Sequence, residues 1–237
     1  MNKLFRDLEY VIVYIDNILI LQREDESDED HLKKIETVLG RLEAKGFRAN
    51  PKKSFFMQPE IDYLGYLLTK GGIKPQPKKV EAMHRMKRPN SYRQLKCFLG
   101  MVNYYRDMWP RRSHILAPLN DLAGLRNIKP WKWTDIAQQA FLAAKTMLIK
   151  EAMLNYPDFT KPFHIHSDAS DLQLGAVISQ NGKPLAYYTR KLNSAQQNYT
   201  VGEKELLGIV EGLKAFENIL RGQVVLFRRQ YSSAVLS

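Results

Sequence analysis

Cysteine occurs once in the 237 residues, at Cys97, which excludes an internal disulfide and fits a reducing, intracellular setting in cytoplasm or nucleus. Long hydrophobic runs are missing too. None approaches the roughly 20 residues of a membrane-spanning helix, and the stretch from Met1 lacks the pattern of a secretion signal, so neither a membrane partner nor export is expected. Acidic residues are scarce in one place only: residues 71–133 hold 14 Lys or Arg against 3 Asp or Glu. The net charge of +11 therefore resides in that middle segment, between flanks that are close to neutral. A localised positive excess points to a polyanion held by one module, although a solvated basic face has the same composition. What the chain does have is 44% hydrophobic residues, enough for real cores in one large or two to three small domains.

The most informative stretch is Tyr10 to Leu21, YVIVYIDNILIL. Two apolar runs around Asp16-Asn17 predict a β-hairpin with both strands buried and the polar pair in its turn, Asn17 tolerating positive φ. A carboxylate held rigidly at a hairpin tip suits Mg²⁺, which prefers hard oxygen ligands and shares them with substrate phosphates. Taken alone, the pair reads more readily as a plain turn, because short motifs recur by accident.

Downstream, Ser27 to Gly46 reads as an amphipathic helix with Ser27 and Asp30 at its cap and an apolar stripe of Leu32, Ile35, Leu39 and Leu42. Short strands follow at Phe47–Ala49, Ser54–Met57 and Ile61–Thr69, with Gly71-Gly72 as a turn out of the sheet. From Pro75 the pattern is helical. Pro77–Lys87 precedes a longer helix, opened by Ser91 and Gln94, whose apolar positions are Leu95, Phe98, Leu99, Val102 and Tyr105. Its other face presents Arg93, Lys96, Gly100 and Asn103. A glycine inside a helix costs roughly 1 kcal/mol against alanine, so Gly100 calls for a close neighbour, either a nucleic-acid groove or another helix. Helices are predicted at Arg111–Ala123 and Thr134–Ile149, then a break at Tyr156-Pro157. A meander of strands spans Phe163–Ser167, Gly175–Ser179 and Leu185–Thr189, with Asn181-Gly182 as a turn. Thr200 and Glu203 cap a last helix carrying Leu206, Ile209, Val210, Leu213, Phe216 and Leu220. The cap accounts for Glu203; Glu205 projects from another side and can converge with Asp168 on a divalent metal.

Six segments in order carry a family resemblance: YIDN at 14–17, FLGMVNYYR at 98–106, WTDIAQQAF, NYPDFTKPF, SDAS and EKELLGIV. Residues 1–227 resemble the middle and end of the reverse transcriptase of gypsy-type LTR retrotransposons, an RNA-directed DNA polymerase with ribonuclease H. The resemblance implies an α+β chain: the C-terminal part of a palm over 1–74, a helical thumb over 75–128, a connection over 129–160 and a truncated RNase H-like mixed sheet with helix over 161–237. It also implies that Asp16 binds catalytic Mg²⁺ and that the helix with Gly100, Asn103 and Tyr104 tracks the minor groove. On the same basis, Asp168 and Glu205 are RNase H metal ligands and Tyr63–Leu68 lies near the primer end. Implied partners are an RNA/DNA hybrid or DNA duplex, with deoxynucleotides as substrates of the intact parent.

Departures from the family pattern temper these expectations. Asn17 replaces a second Asp with an uncharged amide. The family's first polymerase Asp lies on a strand upstream of these residues, and Asp7 and Glu9 stand too close to the hairpin to replace it. Glu217 is the last acidic residue, and Arg228 and Arg229 stand where an Asp is expected, in a C-terminal sequence that reads like a frame slip. The expectation is therefore a reverse transcriptase whose catalysis is impaired but whose grip on duplex survives; the alternatives are a non-catalytic nucleic-acid binder and a decayed product without function.

Overall fold

The computed structural model describes residues 2–23, 25–124, 131–149 and 153–229, and the chain divides into two compact units, Met1–Gln58 and Pro59–Ser237.

In the first unit, β1 (Val11–Tyr14) and β2 (Asn17–Ile20) form an antiparallel hairpin in which Tyr14 pairs with Asn17. The turn is therefore Ile15-Asp16, one residue earlier than the sequence reading, and Ile15 rather than Asn17 takes positive φ, at 54°. Burial on both faces holds only for β2, where Leu19 is buried opposite inward Ile18 and Ile20; in β1, Val11 and Val13 pack inward while Ile12 and Tyr14, like Ile15 in the turn, face outward. Period-2 alternation gives a lone hairpin only one inner side. That side lies on α1 (Asp28–Ala44), where Phe5, Val38 and Leu42 are buried. Ser27 caps α1 by accepting from the Asp30 N–H at 3.2 Å. The helix closes through Phe47 N–H to Leu42 C=O (2.9 Å) and Gly46 N–H to Glu43 C=O (2.8 Å), with Gly46 at φ 72°. The buried stripe is His31, Ile35, Val38 and Leu42, so Leu32 and Leu39 are exposed, contrary to expectation. Both stripes have helical spacing and share Ile35 and Leu42; the position of the hairpin chose between them. Phe47–Ala49 and Ser54–Met57 are not strands; among the described residues no strand pairs with their backbone.

The second unit opens with a three-stranded meander, β3 (Glu60–Tyr63), β4 (Tyr66–Thr69) and β5 (Gly72–Pro75). The single strand expected over Ile61–Thr69 is split by Leu64-Gly65, both at positive φ (47° and 78°), and the chain turns back at Lys70-Gly71, with Gly72 starting β5 instead of leaving the sheet. Four helices follow, α2 (Pro77–Arg85), α3 (Tyr92–Tyr104), α4 (Arg112–Gly124) and α5 (Asp135–Ile149). The inner face of α3 matches the reading residue for residue: Leu95, Phe98, Leu99, Val102 and Tyr105 are buried in one core with Leu116, Leu119 and Phe141. Leu154 exchanges two backbone hydrogen bonds with Ile73, and Tyr156 Oη donates to Thr69 C=O at 3.0 Å, so the residues after α5 are stitched to the meander edge.

A second sheet has the order β8-β7-β6-β9. Antiparallel β6 (Phe163–Ala169), β7 (Gln173–Gln180) and β8 (Lys183–Lys191) are joined by β9 (Val225–Arg229), parallel to β6. Asn181 (φ 52°) and Gly182 (φ 75°) make the expected turn. After the short α6 (Ser194–Gln197) comes α7 (Val201–Ala215), with Thr200 and Glu203 in a complete reciprocal cap. Its inward residues are Lys204, Gly208 and Gly212; Leu206 is 62% exposed and Val210 also faces out, against expectation, while Phe216 and Leu220 are buried as read. A Cβ on Gly212 would stand 3.0 Å from the Ala176 Cβ. Helix and sheet lie so close that the seam needs glycine, and the larger residues are displaced sideways. Residues 230–237 of the divergent C-terminal sequence lie outside the described residues.

Candidate nucleic-acid interface and carboxylate sites

Asp16 stands exposed at the hairpin tip beside Ile15, itself 70% exposed. A β-branched residue at positive φ costs of order 1–3 kcal/mol and holds its neighbour in one orientation. Asp7 is engaged elsewhere: Arg41 grips its two carboxylate oxygens at 2.6 Å each, and that guanidinium holds the Asp7 carboxyl down at about 2.

On α3, Arg93, Lys96, Gly100, Asn103 and Tyr104 are all exposed, on the side away from Phe98 and Val102. Among the described residues nothing lies within 4 Å of where a Gly100 Cβ would be, so no described helix packs against this glycine. Asn103 and Tyr104 are held in place from within the protein. Asn103 Oδ1 accepts from Arg112, and Tyr104 Oη donates to the Leu64 C=O. The Tyr104 ring stacks on Tyr66 at 5.7 Å, and Lys79 Nζ sits 4.7 Å from its centroid. Gly65 is needed here, since a Cβ would meet the Tyr104 hydroxyl at 2.8 Å. Lys78, Lys79, Lys87 and Arg88 extend the exposed positive surface; Arg85 is paired with Glu81. Sequence reasoning missed the support from Tyr66, Tyr105 and Arg112; the adjacent Tyr104-Tyr105 pair at a helix end was the available signal.

Asp168 lies near the end of β6. Gly208 approaches the Ser167 Cβ, so Ser167 faces α7 and the pleat turns Asp168 to the other side. There, exposed, it lines a shallow cleft with Ser170, Gln173, Gly175, Tyr187 and Thr189. Glu205 is half-buried at the fifth position of α7, which packs directly on β6. The parallel register places Arg228 beside His166 and Arg229 beside Ser167, one residue before Asp168. Among the described residues, no group of three or more His, Cys, Asp or Glu side chains is placed to hold a metal ion. Sequence reasoning also missed half-buried Glu211, whose carboxylate lies 3.4 Å from Arg190 Nε and accepts from the Tyr188 hydroxyl at 3.3 Å.

A helical module with an open basic helix is thus followed by a mixed sheet bearing a strand-end aspartate and a capped helix. Residues 1–68 match the reverse transcriptase (RNA-dependent DNA polymerase) family, and residues 133–227 match the RNase H-like domain found in reverse transcriptase. The chain thus carries two reverse-transcriptase-associated segments in the order in which its Pol relatives carry them. It is 38% identical over 223 residues to the retrovirus-related Pol polyprotein from transposon opus of Drosophila melanogaster, covering 89% of this chain and 22% of that one. Against the transposon Tf2-7 polyprotein of Schizosaccharomyces pombe it is 34% identical over 224 residues, covering 92% of this chain and 16% of the polyprotein. The chain thus spans about a fifth of the curated relatives it matches. In fold it resembles the foamy viral protease-reverse transcriptase solved with an RNA/DNA hybrid (TM-score 0.89, 23% identity, 96% of this chain and 31% of that one). The same viral protein solved with dsDNA gives a TM-score of 0.87 at 24% identity, over 98% of this chain and 48% of that one. No described helix is long and apolar enough to cross a membrane.

Proposed function

We propose that this chain is part of a gypsy-type retrotransposon reverse transcriptase that grips primer-template duplex with α3, its own catalysis being weak or absent. The observation that carries this reading is the open side of α3. Arg93 and Lys96 are exposed there for phosphates, and Gly100 leaves the helix backbone bare, with no described residue within 4 Å of its Cβ position. Asn103 and Tyr104, held by Arg112, Leu64 and Tyr66, are preset to meet sugar edges in the wide, shallow minor groove of an A-like hybrid. β4 and the Leu64-Gly65 turn then border the primer end. The lone Cys97 supports an intracellular place of action.

When bound, Mg²⁺ would supply charge neutralisation for phosphoryl transfer, held by Asp16 in the polymerase part and by Asp168 and Glu205 in the RNase H-like part. The residues here under-fill both sites. Asn17 offers an amide oxygen where a second negative charge would strengthen the cation site, and Arg228 and Arg229 bring positive charge onto the strand beside β6. The polypeptide alone is expected to give no primer extension with deoxynucleotides, and Asn17→Asp is not expected to restore it. Hybrid cleavage is expected to be absent or far below that of an intact domain; cleavage abolished by Asp168→Asn would overturn that part of the reading.

The deciding experiment is a titration of the full chain against an RNA/DNA hybrid at several salt concentrations. Affinity should fall steeply with salt as counterions are released, and Arg93→Ala and Lys96→Ala should each reduce the logarithmic salt slope by about 1. A flat salt response, or unchanged binding in both variants, would mean that α3 does not grip nucleic acid.

A further inference from the structure

Asn103 is exposed on the open side of α3, and the start of α4 reaches across to it: Arg112, half-buried, donates to Asn103 Oδ1. Among the described residues this is the one hydrogen bond made by the Arg112 side chain, whose Nε is buried with no partner. The platform beneath the pair is rigid. Arg111, at φ 51°, turns the chain into α4, and Ser113 is tied to β8, its hydroxyl 2.7 Å and its N–H 3.2 Å from Thr189 Oγ1. Leu116 and Leu119 of α4 share one core with Val102 and Tyr105. A guanidinium has five N–H donors and no acceptor, so only the amide oxygen can face it. The same bond therefore turns Asn103 Nδ2 outward, where no acceptor among the described residues takes its protons. An exposed asparagine without such a partner presents nitrogen and oxygen interchangeably.

We infer that Arg112 makes Asn103 a one-way donor, so that α3 grips duplex while discriminating against the exocyclic amine of guanine in the minor groove. This inference rests on the reading that α3 grips primer-template duplex. Every base pair offers acceptors on the minor-groove floor, and in an A-like hybrid the 2′-hydroxyls add more. An outward N–H₂ can pair with any of them. Guanine alone places an amine, N2, on that floor, and a donor set against a donor loses its hydrogen bond to water and gains none. Arg112 is a positioning residue that acts through Asn103; Arg93, Lys96 and Asn103 then all present donors to the duplex.

The test measures binding of the full chain to RNA/DNA hybrids of one sequence made with guanine or with hypoxanthine, which lacks the amine. A second pair carries adenine or 2,6-diaminopurine, which gains it. The parent should bind the amine-free member of each pair about three- to tenfold tighter, the weight of one neutral hydrogen bond. Base changes also alter the duplex itself, so the decisive reading is how the ratio moves between proteins. Arg112→Met should bring the ratio to within about twofold of that for Asn103→Ala, with no further change in the double variant. Arg112→Glu, whose carboxylate only accepts, should turn the amide round and favour the amine-bearing hybrids relative to Asn103→Ala. Its weaker overall binding cancels in the ratio. Asn103 is exposed, so Asn103→Ala keeps the test valid if an Arg112 variant fails to fold. The salt slope should be unchanged in Arg112→Met; a slope lower by about 1, with the same loss of affinity in the Asn103→Ala background, would make Arg112 a phosphate contact and overturn the inference. A ratio unmoved by Asn103→Ala, or by Arg112→Met, overturns it as well and leaves the duplex-gripping reading intact. If the parent chain binds no hybrid, both fail.

Discussion

Helices α3 and α7 both carry glycine in their interior, and the two put it to opposite ends. In α7, Gly208 and Gly212 face the sheet: a Cβ on Gly212 would press on Ala176 at 3.0 Å, while one on Gly208 would make ordinary contact with Ser167 at 3.8 Å. In α3, Gly100 faces no described residue within 4 Å. Both accept the same penalty for glycine in a helix, roughly 1 kcal/mol each. In α7 the return is close packing within the fold. In α3 no described neighbour uses the space, as is also the case for Gly40 in α1.

The largest test of this contrast lies on the inner face of α3. Phe98 is fully buried against Phe141, so Phe98→Ala should cost about 3–5 kcal/mol in denaturant unfolding, whereas Arg93→Ala on the opposite face should change stability by less than about 0.5 kcal/mol. Equal effects would erase the distinction between a structural face and a binding face. Gly212→Leu comes next: overpacking against Ala176 should destabilise by about 1–3 kcal/mol, read from the shift in the unfolding midpoint. Gly100→Ala should do the reverse, stabilising the chain by about 0.4–1 kcal/mol while weakening hybrid binding. Loss of stability there would show a structural need that the open surroundings of Gly100 do not reveal.

The smallest expected effect is in the first unit. The Asp7 carboxyl is held at about 2 in the folded chain against an ordinary 3.8, through its hydrogen bonds to Arg41. A depressed folded-state value gives stabilisation that is complete above 3.8 and lost as pH falls from there toward about 2. Arg41→Met should flatten the acid dependence of stability in that window, with little change in its shape near neutrality; an unchanged acid limb would show that the pair contributes nothing to folding.

Much of this was legible in the sequence. The Ser91 and Thr200 caps, the buried face of α3, the Asn181-Gly182 turn and the segregation of charge into residues 71–133 all follow from local propensity and period. The candidate site residues were legible mainly as motifs in order, since spacing alone does not distinguish Asp16 from an ordinary turn residue. Three readings went astray for a shared reason. The Ile15-Asp16 turn, the rotated stripe of α1 and the glycine seam of α7 each had two patterns of nearly equal local merit.

The sequence by itself determined which segments are helices, where their caps lie, which module is basic and which carboxylates are available, because those properties depend on neighbours within a turn or two of chain. Only the tertiary structure decided which side of α1 and α7 is inner, that Gly100 is open while Gly212 is clamped, and that Lys204 turns from the sheet to meet Asp171. These are contacts between residues 33 or more positions apart in the Lys204–Asp171 pair and in the helix–sheet seam, and local pattern carries no term for them.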